Sequence, residues 1–111
     1  IANRRHLHAH PELSFEEYET SAFVQEQLKA MQIPFEKMAN TGVVGIIKGE
    51  KPSDKVIALR ADMDALPIEE ANDVPYKSTK PGVMHACGHD VHTSSLLGTA
   101  KILNDLKNEF G

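Results

Sequence analysis

One segment of the sequence indicates the class of fold more strongly than any other: Lys55-Val56-Ile57-Ala58-Leu59-Arg60-Ala61-Asp62. Its nearly continuous apolar run is typical of a strand buried on both faces of a sheet that helices cover. A similar run extends from Gly42 to Lys48, and Phe35 to Met38 forms a shorter one. Turn-forming residues at 49–54 separate the two long runs, so we expect them to pair as an antiparallel hairpin. The pattern predicts an α/β protein.

Three helices are expected around these strands. The first covers Ala2 to His10 and ends before Pro11, because proline disfavours helix in the residue that precedes it. The second covers residues 14–32 and begins with a capping box, Ser14-Phe15-Glu16-Glu17. The third begins at Asp90, the expected N-cap, and continues to Phe110. Residues 65–88, rich in proline and with little periodicity, are expected to form a long loop of functional importance.

Composition excludes several classes of protein. The 111 residues are 41% hydrophobic and 25% charged, as in an ordinary globular domain. A net charge of -4 argues against nucleic acid as a partner, and no apolar stretch is long enough to span a membrane. The single cysteine favours a reducing compartment, so a cytoplasmic location is expected. Because the chain begins with Ile1 and ends after a helical run, we interpret it as a segment of a longer polypeptide.

The densest group of chemically reactive side chains lies in Met84-His85-Ala86-Cys87-Gly88-His89-Asp90-Val91-His92. A thiolate and a neutral imidazole are ligands that suit Zn²⁺ and similar divalent ions. The start of the last helix would place Cys87 and His89 at a positive dipole end, which favours the thiolate. The alternative is that Cys87 is a small buried residue and the histidines are ordinary loop residues.

Two carboxylates, Asp62 and Asp64, follow the predicted buried strand. Residues two apart in a strand point to the same side, so both could converge on one site at the sheet's carboxyl edge. Alternatively they are solvated turn residues. Arg60 could pair with one of them or contact a substrate.

Other polar residues receive simpler interpretations. His6, His8 and His10 are expected to be polar histidines on a surface helix, with His8 on a different face from the other two. Glu69 and Glu70 are expected to be solvated loop residues. His85 and His92 could each orient a metal ligand or contact substrate.

Three segments together resemble the N-terminal part of the M20 metallopeptidase family, in its branch of N-acyl-amino-acid amidohydrolases, hippurate hydrolases and auxin-conjugate hydrolases. They are Arg4 to Ser14, Ala58 to Pro67 and Met84 to Thr93. The resemblance implies an α/β/α zinc-peptidase-like catalytic domain with a mixed sheet, of which residues 1–111 are the N-terminal part. The rest of that domain and an inserted lid or dimerisation domain, which would allow a homodimer, would lie outside this chain.

The resemblance also implies a chemistry. Cys87 and His89 would be metal ligands in a site for two divalent ions, Zn²⁺ or Mn²⁺ and, as a further option, Co²⁺. Asp64 would orient a metal ligand, and the resemblance leaves open whether Asp62 binds a metal ion. The substrate would be a small N-acyl amino acid, and the general base and the remaining ligands would lie beyond Gly111. The 111 residues alone are therefore expected to be inactive.

Two alternatives remain open at this point. The protein could be a non-catalytic metal-binding member of the same fold. It could also use Cys87 as a nucleophile with His85 or His89 as the base.

Overall fold

The computed structural model describes all residues 1–111, with three helices and one two-stranded sheet. Helix α1 covers Ala2–Ala9, α2 covers Tyr18–Ala30 and α3 covers His89–Asp105. Strands β1 (Phe35–Met38) and β2 (Gly42–Gly45) form an antiparallel hairpin in which Phe35 is opposite Gly45 and Met38 is opposite Gly42. The α/β class expected from the sequence is confirmed, and no helix in the structure is long and apolar enough to cross a membrane.

A small apolar core joins α2, α3 and the hairpin. Val24 and Leu28 of α2, Ile33 after it and Leu97 of α3 are all buried and in mutual contact. Helix α1 packs against α3 at the other side. The tight β1–β2 turn needs glycine at its end, because a Cβ on Gly42 would lie 2.7 Å from the carbonyl oxygen of Met38.

The hairpin predicted between residues 42–48 and 55–62 is wrong. Strand β2 is shorter than expected and pairs with β1 instead, since a three-residue turn closes that pair locally. Residues 55–62 form no strand, and Val56 and Ile57 are 92% and 85% exposed. An apolar run becomes a strand only where a neighbouring strand accepts its backbone hydrogen bonds, and no strand of residues 1–111 lies beside this one.

The start of α2 also differs from the prediction. The helix begins at Tyr18 rather than at Ser14, and Phe15 has a positive φ of 67° that no helix tolerates. Glu17 does not complete a capping box: its side chain accepts hydrogen bonds from Phe15 N and from the hydroxyl of Thr41. The carboxylate of Glu12 accepts the backbone N–H groups of Glu19 and Thr20 instead.

Candidate metal centre

Two backbone pairings bring the acidic segment next to the start of α3. Leu66 and Met84 exchange N–H···O bonds of 3.0 Å, and the N–H of Ala65 donates to the carbonyl of Glu12 at 2.7 Å. These pairings fix both ends of the expected loop, residues 65–88, which otherwise contains no regular element. Asp64 and His89, separated by 25 residues, thereby become neighbours.

The turn into α3 depends on glycine. Gly88 is the N-cap of the helix and has a φ of 111°, a left-handed conformation that side chains disfavour. Asp90 was expected at the N-cap, and this prediction is wrong: it is the second helical residue. Cys87 and His89 flank Gly88, so both lie at the positive end of the helix dipole.

His89 is held in one orientation by Asp64. Its Nδ1 lies 2.9 Å from Oδ1 of Asp64 and 3.0 Å from the carbonyl oxygen of the same residue. Both oxygens accept hydrogen bonds, so Nδ1 carries a proton, and in the neutral ring Nε2 then keeps the lone pair. This is the arrangement in which metal-binding histidines are commonly found, with the distal nitrogen donating to a carboxylate or carbonyl.

Cys87 is exposed and makes no disulfide. Its thiol and Nε2 of His89 fit a borderline divalent ion by donor chemistry. No group of three or more His, Cys, Asp or Glu side chains in the structure converges to hold an ion. The residues present therefore fit part of a metal site, since a closed tetrahedral site needs four ligands.

The side chains of Asp62 and Asp64 have different hydrogen-bond partners. Asp62 is exposed and accepts a hydrogen bond of 2.5 Å from Arg60, which lowers the pKa of its carboxyl group. Arg60 is thus a charge partner. The backbone oxygen of Asp62 accepts the hydroxyl of Thr93 in α3 at 2.9 Å. Of the two acids, only Asp64 contacts a candidate ligand.

Beside this site lies a buried group of charged residues that sequence reasoning missed, the His8 cluster (Arg4, His8, Glu70 and Asp90). His8 is only 4% exposed: Nδ1 lies 2.7 Å from Oδ2 of Asp90 and Nε2 lies 2.9 Å from Oε1 of Glu70. Nε of Arg4 contacts the same Asp90 oxygen at 2.9 Å. The expectations of a surface His8 and a solvated Glu70 are therefore wrong.

Glu70 shows how strongly the cluster favours its charged form. Burial alone would raise the pKa of this carboxyl group, but hydrogen bonds from His8, Ser78 N and Asn72 outweigh it and lower the pKa to about 2. The only sequence signals were the one-turn spacing of Arg4 and His8 and the Asp that follows His89. Neither signal identifies Glu70 as a partner.

His85 lies between the His8 cluster and the His89–Asp64 pair. It is 6% exposed, and neither ring nitrogen has a hydrogen-bond partner. Burial lowers the pKa of this imidazole, which favours the neutral form. His92 is exposed and its ring centroid is 5.8 Å from that of His89. The structure assigns neither histidine a ligand-orienting contact.

His6 of α1 and His10, the C-cap of the helix, lie close together as expected, with ring centroids 4.8 Å apart. His6 stacks on Phe23 of α2 at 4.2 Å. Burial of the ring is the main cause that lowers the pKa of His6. Both residues are exposed, and neither is hydrogen-bonded to a candidate ligand, so we do not include them in the site.

Comparison with known proteins identifies relatives over nearly the whole chain. A model of peptidase family M20/M25/M40 matches residues 58–111. The chain is 53% identical over 110 residues to an N-acyl-L-amino acid amidohydrolase of Geobacillus stearothermophilus, covering 98% of this chain and 30% of that protein. It is 54% identical over 106 residues to an N-acetyl-L-cysteine deacetylase of Bacillus subtilis, and the match covers 95% of this chain and 25% of that protein.

A solved structure has the same fold. The YxeP protein of Bacillus subtilis, described as a dinuclear metal-binding peptidase of the M20 family, matches with a TM-score of 0.94 and 49% identity. The match covers 98% of this chain and 31% of that one. The chain thus spans between a quarter and a third of the length of these relatives.

Proposed function

Because this chain belongs to the M20 peptidase family, we propose that the protein containing it hydrolyses the amide bond of N-acyl amino acids with bound divalent metal ions. The products are a carboxylic acid and an amino acid. The observation that carries the proposal is the hydrogen bond between Nδ1 of His89 and Asp64, which leaves Nε2 available to a metal ion, two residues after the exposed thiol of Cys87. The names of the relatives, an amidohydrolase and a deacetylase, support this substrate class.

In this proposal Cys87 and His89 are metal ligands and Asp64 is a positioning residue. Asp64 accepts a hydrogen bond from Nδ1–H of His89 and so fixes the tautomer of the ring. This bond makes Nε2 a stronger electron-pair donor towards a metal ion. Cys87 directly precedes Gly88, the N-cap of α3, so a metal-bound thiolate would lie at the positive end of the helix dipole. A bound divalent ion supplies Lewis-acid activation of water and of the amide carbonyl.

The general base is assigned to a residue outside residues 1–111. Glu69 is exposed and accepts the N–H of Gly82. Glu70 is buried in the His8 cluster, and its pKa of about 2 makes it a weak base near neutral pH. Residues 1–111 are accordingly proposed to be the N-terminal part of one catalytic domain. The other ligands and a lid or dimerisation domain would come from the rest of the protein, which works in the cytoplasm.

The full site is proposed to hold two ions. The thiolate and imidazole favour Zn²⁺, whereas carboxylate ligands supplied from elsewhere would suit Mn²⁺ or Co²⁺. A thiolate ligand must stay reduced, which a reducing compartment favours, and the single cysteine of this segment has no partner within it for a disulfide.

The test is an assay of amino-group release by the full-length protein. The panel contains N-acetyl, N-benzoyl and indoleacetyl amino acids, each with added Zn²⁺ or Mn²⁺ and with a chelator. We expect metal-dependent release that is lost in Cys87→Ala and in His89→Ala. His10→Ala is the control, since His10 is exposed and lies outside the site.

Other results would select the alternatives. Metal binding that depends on Cys87 and His89, without release from any substrate, would favour a non-catalytic metal-binding member of the fold. Release that resists the chelator and is abolished by a thiol alkylator would favour Cys87 as a nucleophile. Metal binding that is unchanged in both variants would exclude the proposed ligands.

A further inference from the structure

We infer that His8 is a positioning residue for the candidate metal ligands: clamped between Glu70 and Asp90, it fixes the start of α3 and with it the Cys87–His89 turn. The inference rests on the proposed function, since it takes Cys87 and His89 as the ligands. His8 lies 82 residues from Asp90 and 62 from Glu70 in sequence, so the contacts join segments that are distant along the chain.

Hydrogen-bond chemistry fixes the form of His8 in this clamp. Ionised carboxylates only accept hydrogen bonds, and each His8 nitrogen faces one of them, at 2.7 Å and 2.9 Å. Both nitrogens must therefore donate, which makes the ring an imidazolium. NH2 of Arg4 also approaches Nδ1, at 3.3 Å. An arginine nitrogen can only donate, so this longer approach is a contact between two donors and the bond to Asp90 determines the geometry.

The charges of the cluster balance. Arg4 and the imidazolium of His8 carry two positive charges, and Glu70 and Asp90 carry two negative ones. Side-chain exposure is 1% for both carboxylates and 5% for His8, whereas Arg4 is 31% exposed. Replacing His8 leaves the cluster with one negative charge in excess, because Arg4 is then the only cation beside Asp90 and Glu70 keeps only the neutral donors Ser78 N and Asn72. A buried charge without its partner is strongly unfavourable, so the carboxylates are expected to shift.

Movement of Asp90 would displace the neighbouring candidate ligand His89. Asp90 follows His89 without an intervening residue, and its own backbone oxygen accepts the hydroxyl of Ser94 one turn later at 2.6 Å. His89 is thus fixed twice: Asp64 holds its ring, and the neighbouring Asp90 holds its backbone through His8. Because ligand atoms must be positioned to within about 0.5 Å, loss of the second anchor should weaken metal binding.

A cluster that only stabilises the fold would behave differently, and controls elsewhere in the chain separate the two roles. Thr41→Val removes a buried hydrogen bond of 2.8 Å to Glu17. Leu28→Ala truncates the apolar core. Neither residue belongs to the His8 cluster, and together the two variants provide a mild and a severe loss of stability.

The experiment compares His8→Gln with these controls in the full-length protein, below the thermal midpoint of every variant. Zn²⁺ affinity is measured by competition with a chromophoric chelator, and the Co²⁺-substituted protein is examined for its thiolate-to-cobalt charge-transfer band. We expect His8→Gln to weaken Zn²⁺ binding about tenfold or more and to shift that band. The controls should stay within about twofold of the parent.

Glu70→Gln serves as a second variant, which keeps an acceptor for His8 but removes one charge, and it should give a smaller change in the same direction. An unchanged affinity and band in both cluster variants would overturn the inference. So would an equal loss of affinity in a control of matched thermal midpoint. If Cys87→Ala and His89→Ala leave Zn²⁺ binding intact, the proposed function itself fails; if they abolish it while His8→Gln does not, only the role of His8 fails.

Discussion

Asp64 holds His89 through two oxygen atoms at once, Oδ1 at 2.9 Å and the backbone carbonyl at 3.0 Å from the same ring nitrogen. The double contact makes the tautomer of His89 independent of any single acceptor. Asp64 can therefore orient His89 although segment 55–64 is not a strand. The position of Asp64 comes from the Leu66–Met84 pairing, which is local to the site.

Substitution of Asp64 is expected to weaken metal binding while leaving the fold intact. In Asp64→Ala the carbonyl of residue 64 still accepts the Nδ1 proton, so the loss of affinity should be about tenfold, the lower end for such outer-shell partners. Asp62→Asn is the matched control, because Asp62 is exposed and its side chain accepts a hydrogen bond from Arg60 rather than from His89. Chelator competition in the full-length protein measures both, and equal losses at the two positions would contradict the assignment.

Bound metal should protect Cys87 from alkylation. The thiol is exposed, so iodoacetamide should reach it readily in metal-free protein. A thiolate that binds a metal ion is shielded, and we expect the modification rate to fall at least about tenfold on adding Zn²⁺. Mass spectrometry of the peptide that contains Cys87 measures the rate. The same rate with and without Zn²⁺ would argue that the thiol is not a ligand.

Glu70 should make the free energy of unfolding depend on pH in the acid range. Its pKa of about 2 in the folded protein lies below the ordinary value of 4.5, so the folded state binds fewer protons between these values. The stabilisation is fully present above about pH 5 and is lost as the pH falls towards 2. At about 1.4 kcal/mol per pKa unit, it is on the order of 3 kcal/mol.

Comparison with Glu70→Gln isolates this contribution. The amide does not titrate, so the difference in thermal midpoint between parent and variant should be largest at neutral pH and shrink steadily below pH 4. A difference that stays constant from pH 7 to pH 3 would mean that the pKa of Glu70 is the same in the folded and unfolded states, so that the cluster does not favour its charged form.

The sequence predicted local features of this fold better than contacts between distant segments. Helix α1, strand β1 and the position of α3 follow from proline placement and hydrophobic periodicity, which act within a few residues. The strand at 55–62 was predicted from its apolar content alone. Whether such a run forms a strand depends on a partner, and residues 1–111 supply none.

The site divides in the same way. Cys87, His89 and Asp64 could be selected from residue type and spacing, and the Asp64–His89 contact agrees with the role expected for Asp64. The His8 cluster could not be selected, because its members lie at positions 4, 8, 70 and 90 and only the folded chain brings them together. A histidine on a short polar helix gives no local sign that it is buried.

The start of helix α2 allows two kinds of capping to be compared, the predicted capping box at Ser14 and the carboxylate of Glu12. The capping box beginning at Ser14 is not formed, and Glu12 accepts the N–H groups of Glu19 and Thr20 at 3.1 Å and 2.6 Å. Glu12→Gln removes the charge and turns one acceptor into a donor that faces an N–H group. We expect a loss of about 2 kcal/mol, as for hydrogen bonds to charged groups. Ser14→Ala, at an exposed position, should stay within about 0.5 kcal/mol of the parent.

Thermal unfolding and amide hydrogen exchange measure this difference. In Glu12→Gln the amides of Glu19 and Thr20 should lose protection, since both would lack a charged acceptor, whereas the amides later in α2 keep their helical partners. Ser14→Ala should leave all of them protected. If Ser14→Ala were the more damaging change, the local capping box would govern the start of α2 and the distant carboxylate would not.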